Sequence, residues 1–180
     1  MPHEISLPWR DFLEDIDEAL DEEVIVYCLG GFATTVKYGA PRSTGHLDYI
    51  ETIPNDGGAR LERIAGEGTE LSRRHGLTTH RAGGVAHLPE SYHERVVEVF
   101  EGAFRHLKLF VLDPHDLALS KLSRNSSVDR DDVEFLAQSG HLDARILRER
   151  YTEDVRPYAV GDLDRDDRTL DLWIEWYLAP

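Results

Sequence analysis

Two glycines in succession, Gly30-Gly31, end an apolar run, and the next stretch of alternating polarity carries His46 and Asp48. Paired glycines after a buried strand let backbone amides approach a phosphate closely, and a helix starting there adds a favourable dipole. A carboxylate on the neighbouring strand can hold the divalent ion that bridges phosphates. The loop between these two features carries Arg42 and Thr44. His46 and Asp48 are two residues apart and share one strand face, so they offer an imidazole and a carboxylate to the same space. Taken singly, a glycine pair also serves any tight turn, and a lone aspartate usually caps or faces water. The order of the pieces is what points to phosphate chemistry.

The elements that must position these residues can be read from periodicity. Trp9, Phe12, Leu13, Ile16 and Leu20 recur at helical spacing among acidic residues, which predicts an amphipathic helix over Pro8 to Ala19. VIVYCL (Val24 to Leu29) is β-branched, apolar and too short for a helix, so it reads as a buried strand. FATTVKYG reads as a short helix stopped at Gly39, and HLDYIETI (His46 to Ile53) as a second strand with Leu47, Tyr49 and Glu51 on one face. ARLERIAGEGTELSRRHGL is expected to be one helix running through Gly66 and Gly68 to Gly76. Further strands are expected near Gly84 to His87, near Arg95 to Val99 and at His106 to Leu112.

From Asp113 the pattern turns helical. Asp113 followed by Pro114 is a helix start that continues to Leu122. Ser127 or Asp129 opens a second helix ending at Gly140, Asp143 caps a third, and Asp166 or Asp167 begins the last. The expected fold class is therefore α/β (α+β), a mixed sheet flanked by helices over 1–112, followed by a helical region over 113–180 packed on it.

The run GGFATTVKYGAPRSTGHLDYIE resembles the signature of the minimal nucleotidyltransferase superfamily, and LDPHDLALSKLSRNSSVDRDDVEFLAQSG resembles the later part of a bacterial subgroup. That subgroup is related to the abortive-infection (toxin–antitoxin) nucleotidyltransferases. The resemblance spans about Val24 to Leu178 and implies a nucleotidyltransferase-like fold. It further implies binding of a nucleoside triphosphate with Mg²⁺ and transfer of a nucleoside monophosphate to an RNA or protein hydroxyl. A cognate antitoxin or a basic protein would be the partner. Matched position by position, Gly30 and Gly31 fall on the phosphate turn, Arg42 and Thr44 on the loop, and Asp48 on the second metal aspartate. Lys121 falls on a lysine that meets a nucleotide phosphate, and Asp132, with Asp131 as the neighbouring alternative, on a late acidic residue.

His46 stands where the first metal aspartate is expected. Mg²⁺ prefers hard oxygen ligands, and neutral imidazole is a poor substitute. Three readings follow: an inactive nucleotide-binding or protein-interaction module of the same fold, a site for Mn²⁺ or another softer ion, or an introduced substitution. A surface histidine at a strand start is the plain alternative. No third carboxylate stands out after Gly76, where HRAGGVAHL offers His80 and His87 instead.

Composition sets the outer limits. A formal charge of −15 argues against sequence-blind DNA binding, which relies on clustered Lys and Arg. No apolar run reaches the roughly 18 residues that span a bilayer, and the acidic start is unlike a signal peptide, so a cytoplasmic protein without membrane attachment is expected. The single Cys28 reads as a buried core residue. The nine histidines show no zinc-site spacing. His115-Asp116 reads as a solvated helix start, and Asp162, Asp164, Asp166 and Asp167 as a capped, solvated turn lacking the glycine and glutamate of a calcium loop. Trp173, Trp176 and Tyr177 read as packing residues, and Ser43 and Ser120 lack any nucleophile context.

Overall fold

A computed structural model describes residues 5–84 and 87–179. The backbone groups into two units: the first runs to Gly83 and resumes over Val96–Val111, and the second takes Gly84–Arg95 and the chain from Leu112 onward. Among the described residues, five strands form one mixed sheet and eight α-helices accompany it. No helix among them is long and apolar enough to cross a membrane.

In the first unit, α1 (Trp9–Ala19) buries Trp9, Phe12, Leu13 and Ile16, the stripe its sequence spacing predicts. Its Asp17 carboxylate accepts the backbone N–H groups of Arg105, His106 and Leu107 at 3.0, 2.6 and 2.8 Å. Burial opposes ionisation of Asp17, but these three donors outweigh it and hold the carboxyl below its ordinary range. β1 (Val24–Cys28) buries Val24, Val26 and Cys28 and leaves Ile25 and Tyr27 half-buried. The chain then enters α2 (Gly30–Phe32), which widens at once into a π-type turn over Ala33–Lys37. Gly39, with φ +80°, ends that turn.

β2 (His46–Ile53) pairs antiparallel with β1. Cys28 faces Tyr49 and Tyr27 faces Glu51, so Ile50 is an extra residue in a bulge. The bulge shifts the alternation: the buried set is Leu47, Tyr49 and then Thr52, not Glu51 as strict period two predicts. The single helix expected next is two, α3 (Gly57–Ala65) and α4 (Glu70–His75). Gly66 leaves the helix with ψ 171°, and Thr69 restarts it by accepting the Ser72 N–H at 3.1 Å. Helical periodicity continues through the glycines, but a glycine that costs about 1 kcal/mol in a helix interior ends the helix when a cap follows it.

β3 (Thr78–Arg81) lies parallel to β2 and upstream of the strand expected near Gly84 to His87; Val85 and Ala86 fall outside the described residues. β4 (Val97–Val99) and β5 (Leu107–Val111) complete the sheet in the order β3-β2-β1-β5-β4, with β5 parallel to β1.

The second unit holds α5 (Pro114–Leu119), α6 (Ser127–Gln138), α7 (Ala144–Arg150) and α8 (Leu163–Trp173). Asp113 caps α5, Ser126 and Asp129 form a reciprocal capping box on α6, and Asp143 caps α7. Each such cap is worth about 1 kcal/mol, and together they fix where the helices begin. α8 starts at Leu163 under an Asp162 cap, earlier than the Asp166 or Asp167 start expected, because those two aspartates are used elsewhere.

Candidate functional site

The first unit brings Gly30, Gly31, Arg42, Thr44, His46 and Asp48 into one cluster. Gly30 has φ +65°, a left-handed conformation, and a Cβ built on it would lie 2.9 Å from Asp48 Oδ2. The turn therefore needs glycine twice over, for its backbone angle and for the carboxylate beside it. A Cβ on Gly31 would meet Arg42 Nη2 at 2.8 Å and Thr44 Oγ1 at 2.9 Å. Arg42 and Thr44 thus close over the turn from the loop that leads into β2. Thr34 Oγ1 donates to Gly30 O at 2.9 Å, and Leu29 N–H donates to Asp48 O at 3.0 Å, which ties the turn to both neighbours.

His80 is the residue the sequence reading left out of the site. It sits opposite Asp48 in the parallel β2–β3 register, and its Nδ1 lies 3.0 Å from Asp48 Oδ1. The His80 side chain is 62% exposed and that of Asp48 25%, so the pair opens to solvent. The His46 ring is 6.2 Å from the His80 ring, centroid to centroid. His80 was visible as a residue type, but placing it needed β3 at Thr78–Arg81, upstream of the strand expected near Gly84 to His87. On the other side of Asp48, burial together with the Asp48 charge pushes the Cys28 thiol far up, so this cysteine stays a protonated core residue.

The donor set bears on the metal the family resemblance implies. Asp48 supplies one hard oxygen group, with one oxygen bonded to imidazole and the other lying against Gly30. Among the described residues no group of three His, Cys, Asp or Glu is placed to hold an ion. A single carboxylate already bonded to an imidazole does not fit a Mg²⁺ pair, which demands near-octahedral oxygen ligands.

Lys121 and Asp132 belong to the second unit, where they pair with each other. Lys121 Nζ lies 2.8 Å from Asp132 Oδ2 and 3.8 Å from Asp129 Oδ1, and all three side chains are at most 3% exposed. Asp131, by contrast, is exposed. Burial works against the Asp129 carboxylate, but hydrogen bonds from Arg124 and Ser126 and the Lys121 charge hold its carboxyl below the ordinary range.

Two polar features read from sequence as solvated are buried. Asp116 is 0% exposed and takes both arms of Arg95, at 2.9 and 3.2 Å, with Arg150 at 3.0 Å. His115 accepts the Asp143 N–H at Nε2 (3.0 Å), which makes Nδ1 the protonated nitrogen that donates to Asp113 Oδ1 at 3.1 Å. Of the acidic run, Asp166 is buried against His87 at 2.6 Å, and Asp167 holds Arg156 and the Tyr151 hydroxyl. Long-range partners decided these positions, and local sequence carries no sign of them. Trp173 is core, whereas Trp176 is 57% exposed.

No curated protein and no solved structure matches the chain significantly. A family model described as a nucleotidyltransferase of unknown function (DUF6036) matches residues 10–177, nearly the whole chain, and the protein belongs to that family.

Proposed function

We propose that the protein binds a nucleoside triphosphate at the Gly30-Gly31 turn, with Arg42 and Thr44 as the side-chain contacts to its phosphates. The observation that carries this reading is the absence of a side chain at Gly31, under an arginine and a threonine that a Cβ would meet at 2.8 and 2.9 Å. An arginine fork and a hydroxyl over a glycine turn are the donors that phosphate oxygens take. The transferase form of the proposal moves a nucleoside monophosphate to an RNA or protein hydroxyl, in a toxin–antitoxin or defence setting with a cognate antitoxin or basic partner suited to the acidic chain. The second reading, a nucleotide-binding or interaction module without transfer, is favoured by one observation: Asp48 is bonded to His80 instead of standing beside another carboxylate.

Titration calorimetry with the four triphosphates, in buffers containing Mg²⁺ or Mn²⁺, tests the binding. Gly31→Ala displaces Arg42 and Thr44 and is expected to weaken binding at least about tenfold, or 1.4 kcal/mol. Absence of binding at millimolar triphosphate in the wild type would overturn the reading. Transfer of labelled nucleotide to RNA and to protein by the wild type and by His46→Asp then separates the two forms. Label incorporation by either protein supports a transferase, and silence from both supports the module.

A further inference from the structure

Asp48 Oδ1 lies 3.0 Å from His80 Nδ1, and a Cβ built on Gly30 would lie 2.9 Å from Asp48 Oδ2. One carboxylate thus stands between the imidazole and the glycine turn, with an oxygen toward each. Carboxylate oxygens accept and do not donate, so the neutral ring carries its hydrogen on Nδ1 and its lone pair on Nε2. Nε2 makes no hydrogen bond among the described residues. Other histidines bond carboxylates, but in buried places. His75 is 11% exposed against Asp15 and His87 0% exposed against Asp166, each bonded through Nε2. His115 is 9% exposed and has both nitrogens engaged. The His80 side chain is 62% exposed, so its free nitrogen is open to a substrate. His46, the other imidazole near the turn, has its ring 6.2 Å from that of His80, and among the described residues no carboxylate orients it.

An imidazole held by a carboxylate at one nitrogen and open at the other is equipped for nucleophilic attack, which splits one difficult transfer into two easier displacements. Resting on the transferase form of the nucleotide reading above, we propose that His80 is the nucleophile of this site. Nε2 attacks the α-phosphorus of a triphosphate seated at the Gly30-Gly31 turn. The N–P bond forms as the bond from the α-phosphorus to its bridging oxygen breaks, and pyrophosphate leaves with that electron pair. His80 then carries the nucleoside monophosphate as a phosphoramidate, and the Asp48 carboxylate faces the positive charge on the ring. In the second displacement an acceptor hydroxyl attacks the same phosphorus. The N–P electron pair returns to Nε2, and the hydroxyl proton passes to solvent. Asp48 is the positioning residue: its hydrogen bond to Nδ1 fixes the tautomer and the ring orientation that leave Nε2 free.

Incubating the full chain with ATP, GTP, CTP or UTP labelled at the α-phosphate, then separating it under denaturing conditions, tests this without a known acceptor. Label from at least one triphosphate is expected to stay on the chain, and label from the γ-phosphate is not. A phosphoramidate is lost in mild acid and survives alkali, and added pyrophosphate is expected to release the label as triphosphate. His80→Ala is expected to abolish labelling while calorimetry still detects triphosphate binding. Asp48→Asn keeps an acceptor oxygen and loses the charge. It is expected to slow labelling about 10- to 100-fold without weakening binding, a split that general loss of structure would not give. His80 is exposed and Asp48 half-buried, and thermal melts establish that both variants are folded. Triphosphate binding without label on the chain, label that survives acid, or label that persists in His80→Ala would overturn the histidine nucleophile and leave the nucleotide reading intact. Absence of triphosphate binding in the wild type would overturn both.

Discussion

At the scale of single residues, Lys121 shows how context assigns a role. Its ammonium is 3% exposed and lies between two carboxylates that are themselves no more than 1% exposed. Taking three charged groups out of water is costly, and their mutual attraction, with the Arg124 and Ser126 hydrogen bonds to Asp129, offsets the cost. Lys121→Met is therefore expected to destabilise the fold by about 3–5 kcal/mol, because it leaves Asp132 and Asp129 facing a buried methionine. Urea denaturation measures this, and a loss under about 1 kcal/mol would mean that the pair is not what holds α5 and α6 in place. The double change Lys121→Met with Asp132→Leu is expected to recover much of the loss, since no unpaired charge then remains at that pair.

At the scale of elements, helix caps coincide with the ion network. Asp113 caps α5 through the His115 N–H at 2.9 Å and also receives His115 Nδ1 and Arg150. Burial opposes its ionisation, yet these partners bring the Asp113 pKa from 3.8 down to about 2. A carboxyl whose folded value lies below its unfolded value stabilises the fold above the unfolded pKa and loses that contribution as pH falls through the folded one. Asp113 thus contributes about 2 kcal/mol near neutral pH, fully present above about pH 5 and lost progressively toward about pH 2. Asp113→Asn keeps a capping oxygen but not the charge. Its deficit against the wild type, followed by denaturation at several pH values, is expected to be about 2 kcal/mol at pH 7 and to shrink steadily below about pH 4. A deficit independent of pH would show that shape, not charge, is what Asp113 provides.

At the scale of the whole molecule, the chain carries 35 acidic against 20 basic side chains. Self-repulsion of this kind opposes compaction, and salt relieves it. Raising ionic strength from about 0.01 M to 0.15 M shortens the screening length from about 30 Å to 8 Å. The melting temperature is expected to rise by about 2–4 °C across that range, the shift that about 1 kcal/mol gives a protein of this size. A fall instead would mean that ion pairs such as Arg95–Asp116 outweigh the net repulsion.

Local chemistry was legible in the chain itself. The amphipathic stripe of α1, the β-branched run of β1, the glycine turn and the Asp113 and Asp143 helix starts all depend on neighbours a few residues away, so periodicity and capping rules reach them, whereas the α6 cap lies at Ser126, one residue before the expected Ser127. Gly30, Gly31, Arg42, Thr44, His46 and Asp48 could be grouped from their order, since two strands joined by a short helix and loop must bring them close. What sequence could not supply was anything decided by distant partners. The bulge at Ile50 depends on how β2 registers on β1, and the burial of Asp116 and Asp166 depends on Arg95 and His87. His80 reaches Asp48 only because β3 lies parallel to β2 at that register. The sequence thus determined that a glycine turn and an aspartate would meet. Only the tertiary structure decided that the aspartate meets an imidazole, because hydrogen-bond partners across a sheet are set by strand register and not by spacing along the chain.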